Sequence, residues 1–452
     1  MVMKIEQIRE DEMNDMVFLT ENSLISDDQI AESAHRLRSE IEQMNAATQR
    51  QYDDDRASIN LVDDTEMVAN VKALIAEKKK LHPKYVVVVG IGGSNLGTIA
   101  VQEAVFGKLY NQLNPEIRVL YADTVDSDLI ADIVSIIEPV LKRGETVLIN
   151  GVSKSGGTTE TVANFEVLVD VVRKYEEDYQ HYVVVTTDKN SKFWDLAMEK
   201  GFAMLEIPKK VGGRYSVFSA VGLFPLGLLG VNIDALMTGA RTMRDRCLGF
   251  DINENPAALS AALIYQHSKE GRNIHDLFLF SSDLESIGRW YRQLMGESIG
   301  KEFNREQKQV FSGITPTVSI GSTDLHSMAQ LYLGGPYDKF TTFVSVAQNK
   351  TDVQIPEYPG YDQLVEGIQK KPLKAVMDAI FHGVQAAFVK GKRPFVELVL
   401  PDKSAFSIGQ FLQFKMIEMM YLGFLIGVNP FDQPNVESYK VETRKILESA
   451  PL

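Results

Sequence analysis

Between residues 153 and 159 the chain reads Ser-Lys-Ser-Gly-Gly-Thr-Thr, a crowd of hydroxyls around one lysine. An apolar run, "TVLIN", precedes it, and Val162, Phe165, Leu168, Val169 and Val172 follow at helical spacing. Strand, glycine turn and helix start together suit an anion, because the first amides of a helix have no partner of their own. Ser153, Ser155 and Thr158 add hydroxyl donors, Lys154 adds a positive charge, and Gly156 and Gly157 let the backbone turn inward. A phosphate monoester is the ligand these groups fit best. A Ser/Thr-rich helix cap would account for one or two of the hydroxyls, but not for all of them with the lysine. The segment lacks the spaced glycine before Gly-Lys-Ser/Thr of a Walker loop, and Ser153 lacks the frame of a nucleophile elbow.

A second glycine loop, "VVVVGIGGSNLG", has the same strand–turn–helix layout. Gly90 and Gly92 fit a dinucleotide fingerprint, and Asp123 ends the next strand where a ribose-binding carboxylate belongs. Asn95, however, stands at the third glycine position. A plain tight turn is the alternative.

Groups for acid–base chemistry lie further along. Glu297, in "LMGESIGKEF", is placed just after an amphipathic helix marked by Leu284, Ile287, Tyr291 and Leu294. A glutamate in such a glycine-lined turn can be desolvated, which lifts its pKa toward the range of a general base; an isolated glutamate is more often a solvated surface group. His326, in "STDLHSMAQLYL", falls in the first turn of a helix capped by Ser322 or Thr323, at the edge of a face formed by Leu325, Met328, Ala329 and Tyr332. Arg214 follows two glycines, and Lys440 lies on the last helix, after "NPFDQP". None of the four identifies a site singly.

The elements that must position these groups are legible in outline. The chain has 452 residues, 44% hydrophobic and 24% charged, a globular composition long enough for several units. Its net charge of −14 argues against nucleic acid as a partner, while a local pocket can still hold a small anion. A single cysteine excludes an internal disulfide, and the seven histidines show no metal-ligand spacing. The charged N-terminus is no secretory signal, and the most apolar runs are too short or interrupted to span a bilayer, which points to a cytoplasmic protein. Residues 1–80 read as helical, with no strand pattern before residue 85. Two series of short β-branched runs alternating with helices then follow, so the expected class is α/β, two parallel-sheet units joined by a helical stretch. A long helix from about residue 405 to 427 and a final amphipathic helix close the chain.

Six segments, "GIGGSNLG", "SKSGGTTET", "GGRYSVFSAVG", "GESIGK", "GSTDLHS" and "NPFDQPNVESYK", together resemble the glucose-6-phosphate isomerase family, in the family's order and over residues 90 to 440. The compact length resembles its bacterial branch. The resemblance implies two sugar-isomerase-type (flavodoxin-like) three-layer α/β/α domains. Its implied boundaries are a helical N-terminal segment (1–60), a first domain (61–208), a helical connector with the GGR motif (209–255), a second domain (256–427) and a C-terminal helical arm (428–452). It implies interconversion of glucose 6-phosphate and fructose 6-phosphate without cofactor or metal, in a homodimer. By position, Ser153, Lys154, Ser155 and Thr158 resemble the phosphate loop, and Gly93 and Ser94 line the sugar. Glu297 resembles the general base, and His326, contributed across the dimer interface, and Lys440 resemble the ring-opening groups. Arg214 resembles the arginine near the enediol and Gln433 a substrate contact. Glu160 resembles a further site carboxylate, although a first-turn acid also suits the helix dipole. Asn435 departs from the family's small residue in the tail motif, and Gly156 and Gly157 replace bulkier residues of longer relatives. A sugar-phosphate-sensing binding module would keep the hydroxyl loop without needing Glu297, His326 and Lys440 together, and an isomerase that also takes mannose 6-phosphate would need no different residue types.

Overall fold

The computed structural model describes residues 15–449; the N-terminal residues 1–14, which bear most of the charged leader read above, lie outside it. The described chain begins with a three-residue strand, β1 (Val17–Leu19). This differs from the all-helical reading of the first 80 residues, because three residues are too few to show an alternating pattern. The two N-terminal helices are present as Asp27–Ala47 and Thr65–Lys79. The first is opened by a capping box in which Ser26 and Gln29 satisfy each other's backbone amides.

The first sheet contains β2 (Tyr85–Val89), β3 (Arg118–Ala122), β4 (Val147–Val152), β5 (Val183–Thr187) and β6 (Ala203–Glu206). All are parallel, in the order β3-β2-β4-β5-β6, with the chain reversing direction across the sheet at β2 and β4. β4 and β5 are buried throughout, as strands covered on both faces by crossover helices must be.

The second sheet begins with β7 (Ile274–Leu279). A small antiparallel hairpin of β8 (Lys301–Phe303) and β9 (Gln309–Ser312) intervenes before β10 (Thr315–Ile320), β11 (Lys339–Val346) and β12 (Phe395–Leu400). The order is β1-β12-β11-β7-β10, parallel except for β1, which pairs antiparallel with β12 along its edge.

Between the sheets runs a helical layer. The Ala405–Ile426 helix is apolar on every side, and nearly all of it is buried against Ile233–Cys247 and Pro256–Lys269. Its two charges, Lys415 and Glu418, are fully buried and paired at 2.8 Å. No helix among the described residues is long and apolar enough to cross a membrane.

Candidate active site

The site is assembled where the two glycine loops of the first sheet face the start of the helical connector. After β2 the chain turns through Gly92–Ser94 into the Leu96–Phe106 helix. Here Gly93 has to be glycine. A Cβ at this position would stand 2.2 Å from the carbonyl carbon of Gly213 and 2.6 Å from the Arg214 nitrogen. Ser216 Oγ donates to the Gly93 carbonyl at 3.3 Å, fixing the loop on the Gly213–Tyr215 turn. That backbone-on-backbone contact sets where Arg214 starts.

The Arg214 side chain is buried, and all five of its N–H donors are used. Nε donates to Ser298 Oγ at 2.8 Å. Nη2 reaches the carbonyls of Pro430 and Asp432. Nη1 donates to Glu297 Oε2 at 3.1 Å and to Gln433 Oε1 at 2.9 Å. One guanidinium therefore ties the connector, the helix bearing Glu297 and the segment before the last helix into a single unit.

Glu297 lies inside the Glu285–Ile299 helix, in its last turn, rather than in a glycine turn beyond it. The helix continues because Leu294, Met295, Ser298 and Ile299 keep the buried face in phase through Gly296. Its carboxylate is about a third exposed and ion-paired to a buried arginine, so charge pairing, not an apolar enclosure, defines its surroundings. The other carboxylate oxygen, Oε1, accepts from Gln293 Nε2 at 3.1 Å. Gln293 was not singled out from the sequence. It sits four residues before Glu297 on the same helix face, which is the signal that would have found it. Its amide also packs under Gly92, whose φ of +59° and missing Cβ make room for it.

The hydroxyl loop follows β4. Ser153 is buried and its Oγ lies 3.1 Å from Thr158 Oγ1, which is 3.4 Å from Ser155 Oγ. Gly156 turns with φ +66°, and a Cβ there would meet Ser191 Oγ at 2.7 Å. Thr158 is the N-cap of the Thr159–Arg173 helix, yet its side chain caps no amide, leaving the first turn of that helix open for an anion. Glu160 is in that first turn. Burial draws the Lys154 ammonium below its usual range, with the nearby Arg214 charge adding to the effect and Asp188 opposing it. Ser94 closes the neighbouring turn.

His326 and Lys440 stand apart from this unit. His326 ends the short Thr323–His326 turn, ahead of the Ala329–Gly334 helix rather than within its first turn. Neither Ser322 nor Thr323 caps it. Asp324 organises the turn instead, accepting from the Ile320 amide at 2.7 Å and from Ser327 Oγ at 2.7 Å. The histidine is exposed and makes no hydrogen bond within the described residues. Lys440, on the Val436–Ser449 helix, pairs with Glu437 at 2.7 Å and is bonded to none of Arg214, Glu297 or Gln433.

A two-sheet α/β protein thus carries a hydroxyl-rich loop with an uncapped helix start after β4 and an arginine-held glutamate at the connector. The chain belongs to the phosphoglucose isomerase family, whose model matches residues 61–451. It is 34% identical to the glucose-6-phosphate isomerase of Carboxydothermus hydrogenoformans over 389 residues, covering 84% of this chain and 82% of that one. Against the Thermus thermophilus glucose-6-phosphate isomerase the identity is 34% over 396 residues, covering 86% and 89%. The fold matches a crystal structure of a glucose-6-phosphate isomerase from Chlamydia trachomatis with a TM-score of 0.80 at 20% identity, covering 97% of this chain and 90% of that one.

Proposed function

We propose that this protein interconverts glucose 6-phosphate and fructose 6-phosphate with Glu297 as the proton-transferring base. The observation that carries the reading is the pair of hydrogen bonds aiming the Glu297 carboxylate, one from Arg214 and one from Gln293, in a chain whose β4 loop ends in an uncapped helix start lined with hydroxyls. The phosphate sits on Ser153, Lys154, Ser155, Thr158 and the open amides, supplying binding energy remote from the reacting carbons. Gly93 and Ser94 line the sugar, with Glu160 at the loop's edge.

Glu297 removes the C2 proton of the open-chain aldose, and the electron pair forms the C1–C2 double bond of a cis-enediolate. The same carboxyl returns the proton to C1, while O2 loses its proton as the C2 carbonyl forms and O1 gains one. Arg214 Nη1 is the guanidinium nitrogen shared with Gln433, so a substrate oxygen replacing the Gln433 amide would meet the charge that develops on the enediolate. Ring opening needs a proton delivered to the ring oxygen and one removed from the anomeric hydroxyl, the work assigned to His326 and Lys440.

The exposed, unpartnered His326 supports a homodimer in which a second copy receives it. Beside it lies an apolar groove of about 250 Å³ lined by Phe278, Leu325, Tyr332, Ile380 and Val384. A cytoplasmic setting fits the single, buried cysteine.

The test is conversion of fructose 6-phosphate to glucose 6-phosphate in a coupled assay, with and without a chelator. Glu297→Gln should lower kcat by about a thousandfold, within the span of general-base contributions, while a phosphorylated sugar-acid inhibitor still binds. Wild-type turnover by that variant removes Glu297 from the mechanism, and loss of wild-type activity on chelation overturns the metal-free reading.

A further inference from the structure

Residues 429–434 form a strap with two faces. One holds Arg214 through the Pro430 and Asp432 carbonyls and the Gln433 amide. The other walls a cavity of about 520 Å³, in the size range of small-molecule sites, closed on its far side by Arg56 and by the β8–β9 hairpin.

The charges around this cavity are unevenly satisfied. Arg56 is committed to Glu40 and Asp54. Asp55 is paired with Lys210, and Asp432 with Lys301. Glu302 accepts from the amides of Asn435 and Gln309. Among the described residues, Arg305 alone of the lining cations pairs with no carboxylate. Its Nε donates to the Val428 carbonyl at 3.0 Å and its guanidinium lies over the Phe424 ring at 5.3 Å, while both terminal nitrogens have no hydrogen-bond or carboxylate partner among the described residues. The side-chain amide nitrogens of Asn304 and Gln307, on the same wall, likewise have no partner among the described residues, while their backbone amides bond within the hairpin. A planar guanidinium with two free N–H edges beside unspent amide donors matches an oxyanion.

We propose that this cavity binds a small metabolite through a phosphate or carboxylate head group held by Arg305, at a site distinct from the substrate's own phosphate loop. The site is coupled to Glu297 through one lysine. Lys301 Nζ donates to the Glu297 carbonyl at 2.7 Å and pairs with Asp432 on the strap. An anion entering the cavity competes with Asp432 for Lys301 and so shifts the strap that presents Gln433. This coupling rests on the isomerase reading of Glu297; occupancy of the cavity does not.

The experiment is a calorimetric titration of the purified full chain with inorganic phosphate. Two sites per chain are expected: Lys154→Ala weakens one, and Arg305→Gln weakens the other by about tenfold or more. Arg305→Lys, which keeps the charge but loses the fork, should fall between wild type and Arg305→Gln. A single site abolished by Lys154→Ala overturns the proposal, including the case in which a second copy of the chain fills the cavity. A second site indifferent to both Arg305 variants overturns it as well. Turnover at saturating fructose 6-phosphate reads the coupling separately. Phosphate should lower kcat in wild type and not in Arg305→Gln, and a kcat unchanged in both removes the link to Glu297. Loss of all isomerase activity with two phosphate sites retained would reject the functional reading alone.

Discussion

Glu297 has its two carboxylate oxygens held from different parts of the chain, Oε2 by Arg214 from the connector and Oε1 by Gln293 from its own helix. Losing the arginine bond would disturb much besides the carboxylate, because the same guanidinium holds Ser298, Gln433 and the strap. Losing the glutamine bond is cleaner. Gln293→Ala should free rotation of the carboxylate and lower kcat on the order of tenfold, since a hydrogen bond to a charged group is worth about 1.5–3 kcal/mol. KM for fructose 6-phosphate should move less than kcat, because the phosphate loop is untouched. Steady-state kinetics check this, and a variant that changed KM alone would make Gln293 a binding group only. Arg214, Glu297 and the hydroxyl loop were legible in the sequence only through the order of their motifs along the chain, since Arg214 and Glu297 mark no site singly. Gln293 was not, because its meaning comes from Glu297 one turn later and from Gly92 some two hundred residues earlier.

Among the elements, the strands that sequence reading recovered are apolar runs, with several β-branched residues in a row in β2 and β5. The ones it passed over, β1 and the β8–β9 hairpin, are short, and β9 is largely exposed, so no burial pattern is written into it. Glu297 was placed beyond its helix because Gly296 and Gly300 read as a stop; the buried Ser298 and Ile299 outweigh Gly296 and carry the helix one turn further. The contact that decides the site at this scale is loop on turn. Gly93→Ala brings a methyl group into backbone on the opposing side, where no flexible side chain can yield. The loop must then retreat from Gly213–Tyr215, at a cost of about 1–3 kcal/mol, and Arg214 loses its seat. Thermal unfolding and the coupled assay should both show the loss. Gly157→Ala, whose added carbon meets nothing within 4 Å, is the matched control and should unfold at the wild-type temperature.

At the scale of the whole molecule, stability carries a pH signature from inside the second sheet. Asp276 on β7 is completely buried. One of its oxygens accepts from Thr317, Ser319 and Tyr332, while the other is unpartnered among the described residues. Burial raises its pKa to about 6, against the bonds from those three hydroxyls. The folded state therefore holds this proton where the unfolded chain has released it. The sign follows: Asp276 favours the fold most below pH 4, and that contribution falls away as pH rises through 6. Asp276→Asn keeps an acceptor and never ionises. Its stability relative to wild type should climb between about pH 4 and 6 and then level off. Chemical denaturation across that range would show it, and a constant difference would mean that Asp276 does not titrate in the folded protein.

β1 sets a condition on the order in which the molecule can be completed. It covers the outer edge of β12, and beside it the Met16 amide donates to Gln410 Oε1 across 394 positions of sequence. A ribosome delivers this strand among the first residues of the described chain, yet its partner emerges only after both sheets' other strands. Until the two ends meet, the growing protein carries a bare strand edge on one side and an unattached strand on the other, the pairing surface through which sheets join the wrong neighbours. The β1–β12 seam therefore cannot close before residue 400 has been made, and a chain ending before Phe395 would leave β1 without the strand it pairs with.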